Sequence, residues 1–224
     1  MRHVRQQRLI NLTFHGVGTP PRPLDDGEAD VWVGSDAFIA ILDAAVGRPD
    51  VRITFDDGNA SDLEIGLPAL TVRGLTATFF VVADRLGTPG FLDATDLRAL
   101  AAGGMTIGNH GMHHQPWRGL DDAALDEELG TARQLLEDAV GAPVDQAACP
   151  FGSYDRRVVA GLRRHGYRHA YTSDRGTVAG DEWLQARNTI TPQDTAGVLD
   201  AIAAPVAPVA ALAGRAKLTL KRWR

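Results

Sequence analysis

A chain of 224 residues, 44% hydrophobic and 23% charged, can bury a sizeable core, and this length is usual for one α/β barrel. The net charge of -5 supplies no basic field for nucleic acid, and a single cysteine, Cys149, excludes an intramolecular disulfide. No apolar run approaches the roughly 20 residues of a membrane span, and the first residues lack an export signal's apolar stretch, so a cytoplasmic location is the expectation.

Strand-like and helix-like segments alternate along the chain. "RLINLTF" (8–14) predicts a strand, and 35–47 a helix with Ser35 as N-cap and Gly47 as stop. A strand at 51–55 precedes a helical stretch at 61–74, in which Pro68 must sit near the start or make a kink. The apolar run 75–83 is a buried strand, 93–104 a short helix and 105–109 a strand. The longest helix covers 120–141, with Leu125, Leu129, Leu135, Leu136 and Val140 close to the 3.6 period. Residues 146–152 form a strand end, 154–166 a helix stopped by Gly166, and 168–173 and 184–190 two further strands. An Ala- and Pro-rich segment, 195–224, is expected to be helical and broken at Pro205 and Pro208, following a main domain of residues 1–194. Its basic end, "KLTLKRWR", is read as a solvated tail with at most a weak contact to an anionic membrane surface. About seven strands alternating with helices imply a parallel sheet with right-handed crossovers. The length favours barrel-like closure over an open doubly wound sheet, and in both folds ligands bind at the carboxyl ends of the strands.

Four strand ends carry unusual residues: "LTFH" with His15, "TFDDG" with Asp56 and Asp57, "NHGMHH" with His110, His113 and His114, and the turn "CPFGSYD". His110 and His114 are four apart, which on a helical turn places both imidazoles on one face, as a metal requires. Gly at 111, where a zincin has Glu, requires the general base to come from elsewhere. Two histidines and a carboxylate leave metal positions open, and "TFDDG" offers one carboxylate for the metal and one to take a proton. Each element alone is weak, since Asp-Asp-Gly is usually a turn and a His pair at this spacing is usually structural.

Together, "TFDDG", "HGMHH" and "CPFGSYD" resemble the motifs of the polysaccharide deacetylases over roughly residues 10 to 190. The resemblance implies a distorted, incomplete TIM-like (β/α) barrel and metal-dependent removal of acetyl groups from N-acetylated sugars. It makes Asp56 the general base, Asp57, His110 and His114 the ligands of a divalent metal (zinc, with cobalt or nickel able to replace it), and the Phe151 backbone N–H the donor to the oxyanion. Three features depart from the family pattern. Gly111 replaces a Ser or Thr whose hydroxyl braces the metal site, Ala148 replaces an Arg that orients the base, and the C-terminal Leu-x-x-His that supplies the general acid is missing. Arg187, at the end of a later strand, is the expected substitute for the arginine. "LTFH" fits the missing motif, as in circularly permuted members similar to poly-N-acetylglucosamine deacetylases, and makes His15 the general acid.

Trp117 and Tyr154 are read as candidates to line a sugar groove, with packing in the core or at the rim as the equal alternative. His113 is expected to point away from the metal, Asn109 to hydrogen-bond near the site, and Cys149 to be a buried small hydrophobe. His165 and His169 receive no role. Other readings of the chain are a catalytically silent carbohydrate-binding relative, an iron(II) oxygenase, and a hydrolase of non-sugar C–N bonds. The free Asp56 argues against the oxygenase, and the intact set of Asp and His residues argues against the silent relative.

Overall fold

The computed structural model describes residues 8–180 and 182–204, so most of the expected C-terminal segment, with Pro205, Pro208 and the basic tail, lies outside the described residues. Seven strands follow the expected order: β1 (Arg8–Phe14), β2 (Val51–Asp57), β3 (Ala77–Val81), β4 (Thr106–Asn109), β5 (Gln146–Ala148), β6 (His169–Thr172), and an interrupted last strand. A two-residue strand, β7 (Val178–Ala179), absent from the sequence reading, runs antiparallel to the start of β1. The last strand consists of β8 (Leu184–Ala186) and β9 (Asn188–Thr189), separated by Arg187. β1 to β6 pair in parallel in chain order, β8 adds to β6, and β9 pairs with β1. One stretch of chain thus bridges both ends of the sheet, which makes the nearly closed, distorted barrel that the sequence implied.

Alternation along the strands separates two environments. Leu12, Phe14, Ile53, Phe55 and Phe79 join one core cluster with Phe38, Ile41 and Leu42 of helix α1 (Ser35–Ala45) and Leu70 of helix α2 (Leu67–Thr71). Phe14 meets Phe38 edge-on at 5.0 Å, and Phe55 stacks on Phe79 at 4.6 Å. The opposite face of the same strands carries Thr13, Thr54 and Asp56, joined by hydrogen bonds across the barrel interior. Helix α3 (Ala94–Ala102) opens on a capping box, in which the Asp93 carboxylate accepts from Thr95 and Asp96 N–H while Asp96 accepts from Asp93 N–H. The N-cap of α1 is Gly34 with no side-chain cap, so Ser35 is the first helical residue rather than the cap. Pro68 sits in the first turn of α2, after a π turn at Asp62–Gly66.

The long helix is one continuous run with an interruption. α4 (Asp122–Asp126) passes through a π turn, Glu127–Thr131, into α5 (Ala132–Val140). The extra residue of the π turn shifts the 3.6 phase. Leu125, Leu129, Leu136 and Val140 stay buried, whereas Leu135 rotates out and is 45% exposed. Helix α6 (Arg156–Arg164) is capped by the Asp155 carboxylate. Leu199 of the last helix, α7 (Val198–Ala203), is buried in the main core. No helix of the described residues is long and apolar enough to cross a membrane.

The rotated phase has a measurable consequence. Leu136→Ala should cost about 2–5 kcal/mol in urea unfolding, while Leu135→Ala should stay within about 0.5 kcal/mol of the parent. Equal losses would contradict the exposure of Leu135 and the burial of Leu136.

Candidate active site

Asp56 and Asp57 are neighbours in an extended strand, so regular alternation would send one inward and the other out. The backbone breaks that rule. Asp57 adopts φ 76, and Gly58 follows with φ 72. This left-handed pair, tolerated by Asp and natural to Gly, turns both carboxylates toward one cavity, where each is 3% exposed. Four non-glycine residues among those described have positive φ, and three of them, Asp57, His114 (φ 50) and Phe151 (φ 56), line this cavity. Sparsely populated backbone gathers where a site needs side chains that regular structure cannot supply.

His110 follows β4, and its Nδ1 lies 2.8 Å from the Ala148 carbonyl. A carbonyl only accepts, so Nδ1 carries the proton and Nε2 is left to bind a cation. His114 reaches the same point from a loop. The expected helical turn between the two histidines is absent, and Gly111 (φ 88) with His114 folds the loop back instead. The two rings sit 5.4 Å apart. Nε2 of His114 is 3.0 Å, and Nε2 of His110 3.5 Å, from Asp57 Oδ1. Donor atoms of Asp57, His110 and His114 all lie within 4.8 Å of one another. Asp57 Oδ1 is buried and accepts no hydrogen bond, the short His114 contact lacking the alignment of one. A buried carboxylate oxygen orphaned between two imidazole nitrogens fits a divalent cation, and the N/O donor set suits zinc or a similar metal. Arg85 lies 3.3 Å from His114 Nδ1 and only donates, so that nitrogen accepts in this state. A cation at Nε2 would shift the ring proton to Nδ1 and make Arg85 release the contact.

Asp56 stands just outside this triad, 3.7 Å from His110 Nε2. Arg187 grips it with both arms, at 2.5 and 2.7 Å, and donates a third bond to Thr54 Oγ1 at 3.2 Å. The guanidinium lies over Phe80 at 5.0 Å. Burial opposes charge on Asp56, but Arg187 at contact distance, with His110 and His15, holds its carboxyl below the usual range. Asp57 is likewise held low against burial, by the His114, His15 and His110 imidazoles. His15, just past β1, places Nε2 4.0 Å from Asp56 Oδ2, while its Nδ1 is buried without a partner.

The cavity measures about 680 Å³. His15, Asp56, Asp57, His110, His114 and Arg187 line it together, so the sequence-selected residues from four strand ends do converge. The Phe151 backbone lies in the turn Pro150–Gly152, whose closing bonds come from Gly152 and Ser153 N–H, so neither consumes the Phe151 N–H. Two expectations are corrected. Trp117 and Tyr154 are fully buried in a second core cluster, where Trp117 Nε1 donates to Glu128 and Tyr154 Oη to Asp174, so neither ring offers a face to a sugar. The exposed aromatic at the cavity is the Phe151 side chain itself, 65% exposed and 4.7 Å from the His114 ring. His113 points away, with Nδ1 2.7 Å from Asp84. Asn109 pins the loop by accepting from Gly111 N–H and donating to the Glu128 carbonyl. Sequence reasoning missed Asp25, Asp26 and Glu28, which reach the cavity from the segment between β1 and α1, and also Arg85 and Glu128.

Burial pushes the His110 imidazole down to about 4, despite the attraction of Asp56 and Asp57. The unfolded chain takes up that proton near about 6.5. Stability from this group is therefore whole above about pH 6.5 and is lost as pH falls toward 4, by on the order of 3 kcal/mol in the metal-free chain. Asp62 acts in the opposite sense, because burial beside Asp57 and Asp56 holds its carboxyl well above the usual range and acid relieves that cost. His110→Asn isolates the histidine. Its denaturation midpoint should fall less steeply than the parent's between about pH 6.5 and 4, and parallel curves would show that His110 is not the group responsible.

Residues 43–170, more than half of the chain, match the family described as polysaccharide deacetylase. The curated Bacillus subtilis (strain 168) protein YxkH is 24% identical over 140 residues, 62% of this chain and 50% of YxkH, so the chain spans half the length of that relative. Among solved structures, the Streptococcus pyogenes deacetylase PplD, determined in complex with acetate, superposes with a TM-score of 0.76 at 18% identity, over 88% of this chain and 99% of PplD. IcaB from Ammonifex degensii gives 0.71 at 20% identity, over 88% and 96%. Identities this low speak for the fold alone. The family rests on the match across 43–170, and by that match this chain is a member of the polysaccharide deacetylase family.

Proposed function

We propose that the chain is a metal-dependent hydrolase that removes acetyl groups from N-acetylated sugars, in a poly- or oligosaccharide or a biosynthetic glycan intermediate. The observation that carries this reading is the division of labour between two adjacent buried carboxylates. Asp57 has an orphaned oxygen between two imidazoles, while Asp56 is held apart from them by Arg187. A divalent cation held by Asp57, His110 and His114 supplies Lewis acidity, polarising an acyl oxygen and making water easier to deprotonate.

The chain's own residues supply the rest. Asp56, kept charged by Arg187, takes a proton from the attacking water at Oδ2, the oxygen that faces His15 and His110. Arg187 fixes the direction of that carboxylate. The Phe151 N–H, presented by a left-handed turn, donates to the acyl oxygen as charge collects there, a contribution of ~2.7–4 kcal/mol for such a donor. His15 donates a proton from Nε2 to the departing amine. The exposed Phe151 ring offers an apolar face to the sugar at the cavity mouth.

Acetate release from N-acetylated glycans by reloaded protein, with chelated protein as control, tests the reading, and no release from any sugar in either state would overturn it. Asp56→Asn should keep the metal and lose ~10²–10⁴-fold in turnover. His114→Ala should lose stoichiometric metal by elemental analysis. His15→Ala should keep metal and fold while kcat drops, and an unchanged kcat would remove the histidine from the reaction.

A further inference from the structure

We propose that Glu128 is the positioning residue of the metal loop: a buried carboxylate that holds residues 109–117 in the shape that turns His110 and His114 toward Asp57. This rests on the metal reading above and concerns a residue outside the family motifs. Glu128 lies in the π turn of the long helix and is fully buried. Its Oε2 accepts from Met112 N–H at 2.8 Å and Trp117 Nε1–H at 3.1 Å. Its Oε1 accepts from His113 N–H at 3.2 Å and Gln115 Nε2–H at 2.8 Å. Its backbone carbonyl accepts from Asn109 Nδ2 at 2.9 Å. Every one of these donors comes from the stretch that contains the two imidazoles.

A loop without regular structure has backbone N–H groups to satisfy, and burial makes each unsatisfied one costly. Glu128 satisfies two consecutive N–H groups between the histidines, and two side-chain donors just beyond them. It also dictates the neighbouring residue. A Cβ on Gly111 would fall 2.2 Å from Glu128 Oε2 and 3.0 Å from Trp117 Nε1, at a φ of 88 that side chains rarely adopt. The position after the first histidine is therefore empty because the carboxylate fills its space. The bracing hydroxyl of the family pattern is replaced by an acceptor from a different element. The π turn belongs to the same device, since it lies where the helix delivers Glu128 to the loop.

The test is a cobalt(II) titration of chelated wild type, Glu128→Gln and Trp117→Phe, read by the visible absorption of the bound ion, with thermal unfolding of each metal-free chain recorded separately. Glu128→Gln keeps the shape but sets an NH₂ against two donors. Its cobalt Kd should rise about 10–100-fold, the usual effect of losing a group that orients metal ligands, and the absorption band should change shape. Trp117→Phe removes one of the four bonds and should show a smaller rise. Cobalt affinity and spectrum equal to wild type in folded Glu128→Gln would overturn the proposal even if its melting temperature fell, because a purely structural acid moves only stability. If Glu128→Gln does not fold, Trp117→Phe decides, and an unchanged Kd there overturns the proposal. Failure of wild type itself to bind cobalt overturns the metal reading, and this proposal with it, before any variant is compared.

Discussion

The two-armed bond between Arg187 and Asp56 joins the fold to the chemistry. Arg187 sits at the bend where the last strand leaves β6 and crosses to β1, and its backbone N–H donates to the Thr172 carbonyl on one side of that seam. Its side chain spans the barrel interior to reach β2, resting over Phe80 and Tyr171. Both partners are almost fully buried, so each charge depends on the other. Removing one member of such a pair typically costs 3–5 kcal/mol, because the survivor is stranded away from water. An interior that aliphatic layers could fill is instead built around a buried charge pair, which carries a cost in desolvation.

That arrangement lets two adjacent aspartates do different work. Asp56 faces inward by ordinary strand alternation and meets a cation that belongs to the protein. Asp57 reaches the same cavity only because its backbone leaves the extended region, and it meets imidazoles. Like charges side by side repel, and burial worsens the repulsion. Arg187 holds Asp56 below the usual carboxylate range, and the imidazoles around Asp57 hold it low likewise. Asp62, buried nearby with both oxygens unpartnered, has none and is driven toward the neutral form. Burial opposes charge on all three carboxyls, and it is outweighed at Asp56 and Asp57, which have partners, but not at Asp62.

Much of this was readable in the sequence because it follows from local rules. β1 falls on the expected 8–14, and the polar residues past strand ends meet at one cavity, as parallel α/β topology requires. Arg187 was found by position, as the arginine at the end of a late strand. What escaped depends on tertiary context. Whether Trp117 faces sugar or core is decided by Glu128, which satisfies its indole N–H. Leu135 lies beside Leu136 in sequence, about 100° away around the helix, so only one of the two can face the core, and the apolar count did not separate them. One signal was available and unused: Glu128 sits three residues after Leu125 and one before Leu129, an acid on an otherwise apolar stripe, and such a residue needs buried donors to explain it. The left-handed backbone at His114 could not be read at all, since nothing in that residue type announces it.

The split last strand also bears on when the site can exist. Asp56 and its arginine are 131 residues apart in sequence, and β9, which pairs with β1, is the last strand of the described chain. A chain emerging from the ribosome therefore holds its two aspartates, His110 and His114 long before Arg187 is available. Until the final strand docks, the carboxylate on β2 has no counter-charge in the barrel, and burying it is unfavourable. The interior should stay open to water through most of folding and dry out in a single late step. Ordering of the active site and sealing of the barrel then become one event, with the slow kinetics that such sequence-distant closure brings.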